Sequence, residues 1–163
     1  MTRPTQAVID LSALHHNLQR VRTCATQQRI IAVIKADGYG HGAVRIAHAL
    51  SSKVEAFAVC CLEEAIELRE AGIQLPIVLL EGFYQIEELP LIIEHNLQVV
   101  IHTPTQVTSL LKAQPERPIS VWLKVDSGMH RLGFTPLEIG ETWKRFTQCT
   151  HIAKPIRLMS HLS

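Results

Sequence analysis

Six short apolar runs, each closing on a polar or sulfur-bearing side chain, constrain this chain more than any other feature. They are IIAVIK ending at Lys35, AFAVC at Cys60, PIVLLE at Glu81, LQVVIH at His102, ISVWLK at Lys124 and IRLMSH at His161. They are rich in Val and Ile and apolar at both parities, so they read as strands covered on both faces, as in a parallel sheet. The closing residues of the first five are 25, 21, 21 and 22 positions apart. That interval holds one strand, one loop and one helix.

The helical stretches between the runs have legible ends. Asp10 is placed to cap a helix with Leu11, Leu14, Leu18 and Val21 on one face. A second helix is expected from about Gly42 to Leu50. A third, from about Leu62, stops at Gly72, with Pro76 opening the next strand. Thr103-Pro104 supplies an N-cap and first helical residue, and Thr135-Pro136-Leu137-Glu138 repeats the pair with a capping box.

Right-handed βαβ crossovers leave two α/β architectures, a closed barrel or an open doubly wound sheet. No GxGxxG follows the first strand, and polar strand ends suit the rim on which a (β/α)8 barrel collects its active site. Such a barrel takes eight strands and about 250 residues. Here six strands are countable, and the sixth runs into Ser160-His161-Leu162-Ser163. The expectation is an incomplete (β/α)8 TIM-type barrel of about six of eight βα units, cut at a strand end. Two unpaired sheet edges would cost stability or invite self-association.

Composition narrows the partners. With 47% hydrophobic residues, 19% charged residues and a formal net charge of +1, the chain shows neither a nucleic-acid nor a membrane footprint. MTRPTQAVID has no signal-peptide core, and Cys24, Cys60, Cys61 and Cys149 lack CxxC spacing, so a cytoplasmic protein with reduced thiols is expected. The nine histidines contain no HExxH-like pair, so no metal site is expected.

Two segments carry chemistry. In 32-AVIKADGYGHG-42, Lys35 ends a core strand beside a glycine-rich loop. A partly desolvated lysine there is prepared as a Schiff-base amine or general base, and a lysine snorkelling to solvent is the plain alternative. The glycines permit close approach to a ligand, and Tyr39 adds a hydroxyl. In 122-WLKVDSGMHRLGF-134, Lys124 and Asp126 share one strand parity, either facing the barrel mouth or forming an internal ion pair. Arg131 follows in a glycine-bounded loop, suited to a carboxylate or phenolate oxygen. His161 closes the sixth strand on the same rim; taken alone it reads as a structural histidine. Glu81 and His102 hold equivalent positions without an assigned role.

These two segments, with LLEGFYQIEELP and the ending RLMSHLS in the same order and spacing, resemble bacterial alanine racemase over essentially the whole chain. The resemblance implies a pyridoxal 5′-phosphate (PLP) enzyme of the fold-type III barrel class that interconverts L- and D-alanine for peptidoglycan. It further implies that Lys35 holds PLP and acts as the base on the D-alanine side. Tyr39 then contacts the cofactor phosphate, and Arg131 lies near the cofactor's phenolic oxygen and the substrate carboxylate. Lys124, carbamylated in some members, helps hold that arginine, Asp126 supports the same cluster, and His161 supports an arginine at the pyridine nitrogen. The full-length family enzyme is expected to be a homodimer in which the opposing base is a tyrosine of the partner's C-terminal β domain. The resemblance gives residues 1–10 as a leading strand that pairs with that domain, which this sequence lacks, and 11–163 as the partial PLP-binding barrel. On this reading the chain alone is inactive. The alternatives are a non-racemising PLP barrel of the vitamin B6 homeostasis type, a racemase of a related amino acid such as serine, or a fragment that dimerises through its open edges.

Overall fold

The computed structural model describes residues 4–162. Its centre is a sheet of six parallel strands in the order β1-β2-β3-β4-β5-β6. The strands are β1 Ile31–Val33, β2 Ala56–Val59, β3 Ile77–Leu79, β4 Gln98–Ile101, β5 Ser120–Lys124 and β6 Arg157–Met159. Each pairs only with its neighbours in sequence, in registers such as Ala32 with Phe57, Ala58 with Val78 and Leu123 with Leu158. β1 and β6 are the two edges, so the sheet curls as an open half-barrel. This is the six-unit partial barrel read from the spacing of the apolar runs.

The strands stop earlier than the apolar runs suggested. β1 ends at Val33, two residues before Lys35, and β6 ends at Met159, two before His161. The closing side chains therefore sit on the turns just above the sheet, and only Lys124 is itself a strand residue. Ser163, the last residue of the expected partial barrel, lies outside the described residues, as do residues 1–3 of the expected leading strand. Residues 5–10 have no ladder partner among the described residues.

The two parities of the strands build two cores. Phe57, Val59, Ile77, Leu79, Val99, Ile101, Val121 and Leu123 are fully buried against the helices, each fully buried aliphatic or aromatic side chain being worth about 1.5–3 kcal/mol. The opposite parity forms the barrel interior: Ala58, Val78 and Val100, with Ile31, Leu80, Trp122 and Met159 packed against them. At the foot of this interior, the Trp122 Nε1–H donates to Gln98 Oε1 at 2.7 Å, and the Arg157 guanidinium lies 5.3 Å from the Trp122 ring centroid.

Helix α1, Leu11–Cys24, is capped by Asp10, whose Oδ1 accepts from the Ser12 and Ala13 amides at 2.8 and 3.2 Å. Leu11, Leu14 and Leu18 pack on the main core, but Val21, expected on the same face, is 48% exposed. A turn labelled α2, Lys35–Gly40, precedes α3, Ala43–Leu50. Helix α4, Leu62–Glu70, ends at Gly72 with φ +84, and the Ile73 amide returns to the Leu68 carbonyl as in a Schellman closure. Helices α5, Leu89–Glu94, and α6, Pro104–Lys112, follow, the second capped by Thr103 as expected. Helix α7, Ile139–Gln148, starts later than the capping box implied. The Thr135 amide and hydroxyl both donate to the Glu138 carboxylate, so the box closes a preceding turn rather than the helix itself. All four cysteines are free thiols, and no helix among the described residues is long and apolar enough to cross a membrane.

Candidate active site

Above the C-terminal ends of the strands lies an open cavity of about 870 Å³. Interior residues such as Ile31, Ala58, Val78 and Met159 form its floor, and Lys35, Tyr39, Glu81, Lys124, Arg131 and His161 stand around it. Five of the six residues singled out from sequence thus meet in one space. Asp126 is the exception: it lies beside Lys124, Arg131 and His161 in a small adjoining crevice.

Lys35 begins an unusual piece of backbone. Ala36, Asp37, Gly38 and Tyr39 all adopt left-handed helical angles, with φ from 52 to 61. For non-glycine residues this conformation costs roughly 1–2 kcal/mol each, so surrounding contacts must enforce it. Three side chains do so. Glu64 of α4 accepts from the Ala36 amide at 2.6 Å, and Asp37 Oδ1 accepts from the Ala43 amide at 2.7 Å. His41 Nδ1 lies 3.1 and 2.9 Å from the Gly38 and Tyr39 carbonyl oxygens. Gly38 is buried, and a Cβ there would sit 3.3 Å from the Ala43 nitrogen. The result is a half-buried Lys35 and a Tyr39 that is 58% exposed, both bordering the cavity.

The second segment is held differently. Burial first, and then the Arg131 guanidinium, push the Lys124 ammonium below the ordinary lysine range, with Asp126 partly offsetting them. Asp126 does not pair with Lys124. Its Oδ1 accepts from the Gly128 and His130 amides at 3.1 and 2.9 Å, and its Oδ2 faces His130 Nδ1 at 3.1 Å. These bonds, the His130 amide foremost, hold its carboxyl below the usual range. The loop closes where the Asp126 amide meets the Phe134 carbonyl at 2.8 Å, and Ser127 Oγ reaches Ser160 Oγ at 2.6 Å beside His161. Arg131 is exposed at the crest, with its side chain bordering the cavity.

Five contributors, Glu64, Cys60, Glu81, Tyr84 and Gln106, were given no role by sequence reasoning. Glu81 accepts from the Cys60 thiol at 2.9 Å and from the Tyr84 hydroxyl. Burial and this carboxylate push the Cys60 thiol up to about 11, which removes it as a nucleophile near neutrality. The Tyr84 phenol is likewise pushed up, chiefly by its bond to Glu81. Gln106 accepts from the His102 amide at 3.0 Å and donates to the Glu81 and Phe83 carbonyls at 2.9 and 3.1 Å. Glu64 does the equivalent on the other side, accepting from the Cys60 amide at 2.7 Å as well as from Ala36. Both are third helical residues that reach back past the N-cap; Thr103 and Gln106 have the sequence form of a capping box, whereas Glu64 follows a cysteine and has no such signal. Their second bond, across to the neighbouring strand end, has no sequence signature.

The arrangement has close counterparts. A family model described as alanine racemase, N-terminal domain, matches residues 9–163. The chain belongs to the alanine racemase family. An alanine racemase of Xylella fastidiosa is 52% identical over 161 residues, covering 99% of this chain and 44% of that protein. A catabolic alanine racemase of Pseudomonas aeruginosa is 51% identical, with the same coverage of both chains. The crystal structure of a biosynthetic alanine racemase from Pseudomonas aeruginosa matches with a TM-score of 0.90 and 40% identity, over 95% of this chain and 43% of that one. The chain therefore spans less than half the length of the curated relatives it matches.

Proposed function

We propose that this chain forms the PLP-binding half of the active site of a cytoplasmic alanine racemase that interconverts L- and D-alanine for peptidoglycan. The observation that carries the reading is the convergence of Lys35, Tyr39, Lys124, Arg131 and His161 on one cavity, in a chain of this family. The donor set fits the cofactor. Among the described residues around the cavity, Lys35, Lys124 and Arg131 stand with a single carboxylate, Glu81, whose oxygens already accept from Cys60 and Tyr84. That balance suits a phosphorylated, phenolate-bearing ring and an amino-acid carboxylate.

PLP, when bound, spreads the electron pair left at the α-carbon when a proton leaves. The chain's own residues supply the rest. Lys35 Nζ anchors the ring and then moves the α-proton on one face. Tyr39 offers its hydroxyl to the phosphate, Arg131 orients the substrate carboxylate, and His161 supports the pyridine side. Burial that lowers the proton affinity of Lys124 favours the neutral amine, the form that reacts with carbon dioxide to give the carbamate implied by the resemblance. Racemisation needs a second proton donor on the opposite face. Tyr84 is ill suited, because the Glu81 carboxylate disfavours its phenolate. The resemblance assigns that role to a tyrosine of the partner subunit in a homodimer, with residues 1–10 as the strand pairing to the C-terminal domain and 11–163 as the barrel.

The test is solvent exchange. The full protein containing this sequence, incubated with PLP and L-alanine in heavy water, is expected to place deuterium on the α-carbon and to form D-alanine. Lys35→Ala should lose both, by about three orders of magnitude or more for removal of a proton-transferring group that also anchors the cofactor. PLP bound at Lys35 without any α-deuteration would favour the non-racemising reading. Faster turnover of serine than of alanine would replace the substrate.

A further inference from the structure

The Glu64 carboxylate joins two strand ends. One oxygen accepts from the Cys60 amide at 2.7 Å, closing the start of its own helix, and the other accepts from the Ala36 amide at 2.6 Å. Ala36 is the residue after Lys35 and the first of the four left-handed residues. Those residues have no intrinsic preference for that conformation apart from Gly38, so the turn depends on outside bonds at its entry. The remaining restraints, from Asp37 and His41, act further along, on Ala43 and on the Gly38 and Tyr39 carbonyls. Among the described residues, the side-chain bond to the residue beside Lys35 comes from Glu64.

Gln106 provides an internal comparison. It also stands at the third position of its helix, also binds the amide four residues back, at His102, and also crosses to the preceding strand end. There the crossing bonds are made by a neutral amide and run to carbonyls. At the lysine the crossing acceptor is a carboxylate, which binds both amides without an uncompensated donor.

We propose that Glu64 is a positioning residue for Lys35: its carboxylate fixes the entry to the left-handed turn and thereby the direction and accessibility of the Lys35 amine. The idea rests on the reading of Lys35 as the PLP anchor, and it adds a residue on α4 that touches neither cofactor nor substrate. Glu64→Gln keeps length and shape, but its NH₂ must face one of the two backbone amides, donor against donor.

The test uses the full protein with Glu64→Gln, and Glu67→Gln as an exposed control on the same helix. Without PLP, the exchange rate of the Ala36 or Cys60 amide should rise by about tenfold in Glu64→Gln, as when a bond to a charged acceptor is lost. Pulse acetylation of Lys35 should rise several-fold relative to exposed Lys144, and attachment of PLP at Lys35 should slow. Glu67→Gln should leave all three unchanged. Unaltered amide exchange, or loosened amides with Lys35 acetylated at the wild-type rate, would overturn the proposal. Failure of the wild-type protein to take PLP at Lys35 would instead overturn the functional reading, with the exchange and acetylation results still deciding the role of Glu64.

Discussion

The two chemistry-bearing segments sit at opposite sides of the same half-barrel and are built on different physical plans. The turn after β1 is strained and its entry is clasped from outside: Glu64 of α4 holds Ala36, while Asp37 and His41 of the turn itself hold the rest of the four left-handed residues. The loop after β5 is held from within, by Asp126 gathering the amides of Gly128 and His130 and by the closure between Asp126 and Phe134. The first plan makes the position of one residue depend on a neighbouring helix. The second presents Arg131 on a loop built largely from its own bonds, which meets β6 at Met159 and the residues after it at Ser160 and His161. On the proposed function, the first plan suits Lys35 as a cofactor anchor and the second suits Arg131 as an arm toward a substrate carboxylate.

Glycine substitutions probe the difference most strongly. Gly133 has φ +120, and a Cβ there would lie 2.8 Å from the Asp126 nitrogen and 3.0 Å from the Lys124 oxygen, both fixed backbone. Gly133→Ala is expected to lose roughly 2–3 kcal/mol in urea unfolding, from backbone strain together with the clash. Gly40, in the turn, has φ +79 but open space around it. Gly40→Ala should cost about 1 kcal/mol, the intrinsic left-handed penalty alone. Equal losses at the two sites would mean that the loop is not the tightly closed unit described.

Acid tests the second plan more gently. Hydrogen bonds hold the Asp126 carboxyl below its ordinary range, so its contribution is complete above the unfolded value, about 3.9. It is lost as pH falls through the lower folded value. The Gly128 and His130 amides should therefore lose protection, after correction for intrinsic rates, only below about pH 4. The Ile73 amide, which donates to the Leu68 carbonyl at 3.0 Å outside both segments, should keep its protection over the same range. Simultaneous loss at both places would point to global unfolding rather than release of one loop.

Much of this was legible in the sequence because it follows from periodicity. Apolar runs at near-constant spacing specified the six parallel strands, and Asp10, Gly72 and Thr103 marked helix ends where the structure has them. The strand-end positions of Lys35, Lys124 and His161 placed them on one rim, within two residues of the true strand ends. Less legible was everything that depends on cross-element bonds. Shared parity brought Asp126 next to Lys124 but did not reveal that its oxygens are committed to the loop backbone. KADGYG reads as a loose glycine-rich loop, and only the bonds from Glu64, Asp37 and His41 make it a left-handed turn. Cys60 lies 21 positions before Glu81, so the bond that ties it to the Glu81–Tyr84 pair has no local pattern.

The central claim is that Lys35, through its clasped turn, is the cofactor anchor. The direct measurement is to mix the full protein with PLP, reduce with borohydride, digest, and locate the pyridoxyl group by mass spectrometry. The account predicts one modified lysine, at Lys35, in the peptide spanning the left-handed turn. Modification at Lys124 instead, or the same adduct yield in Lys35→Ala, would contradict it.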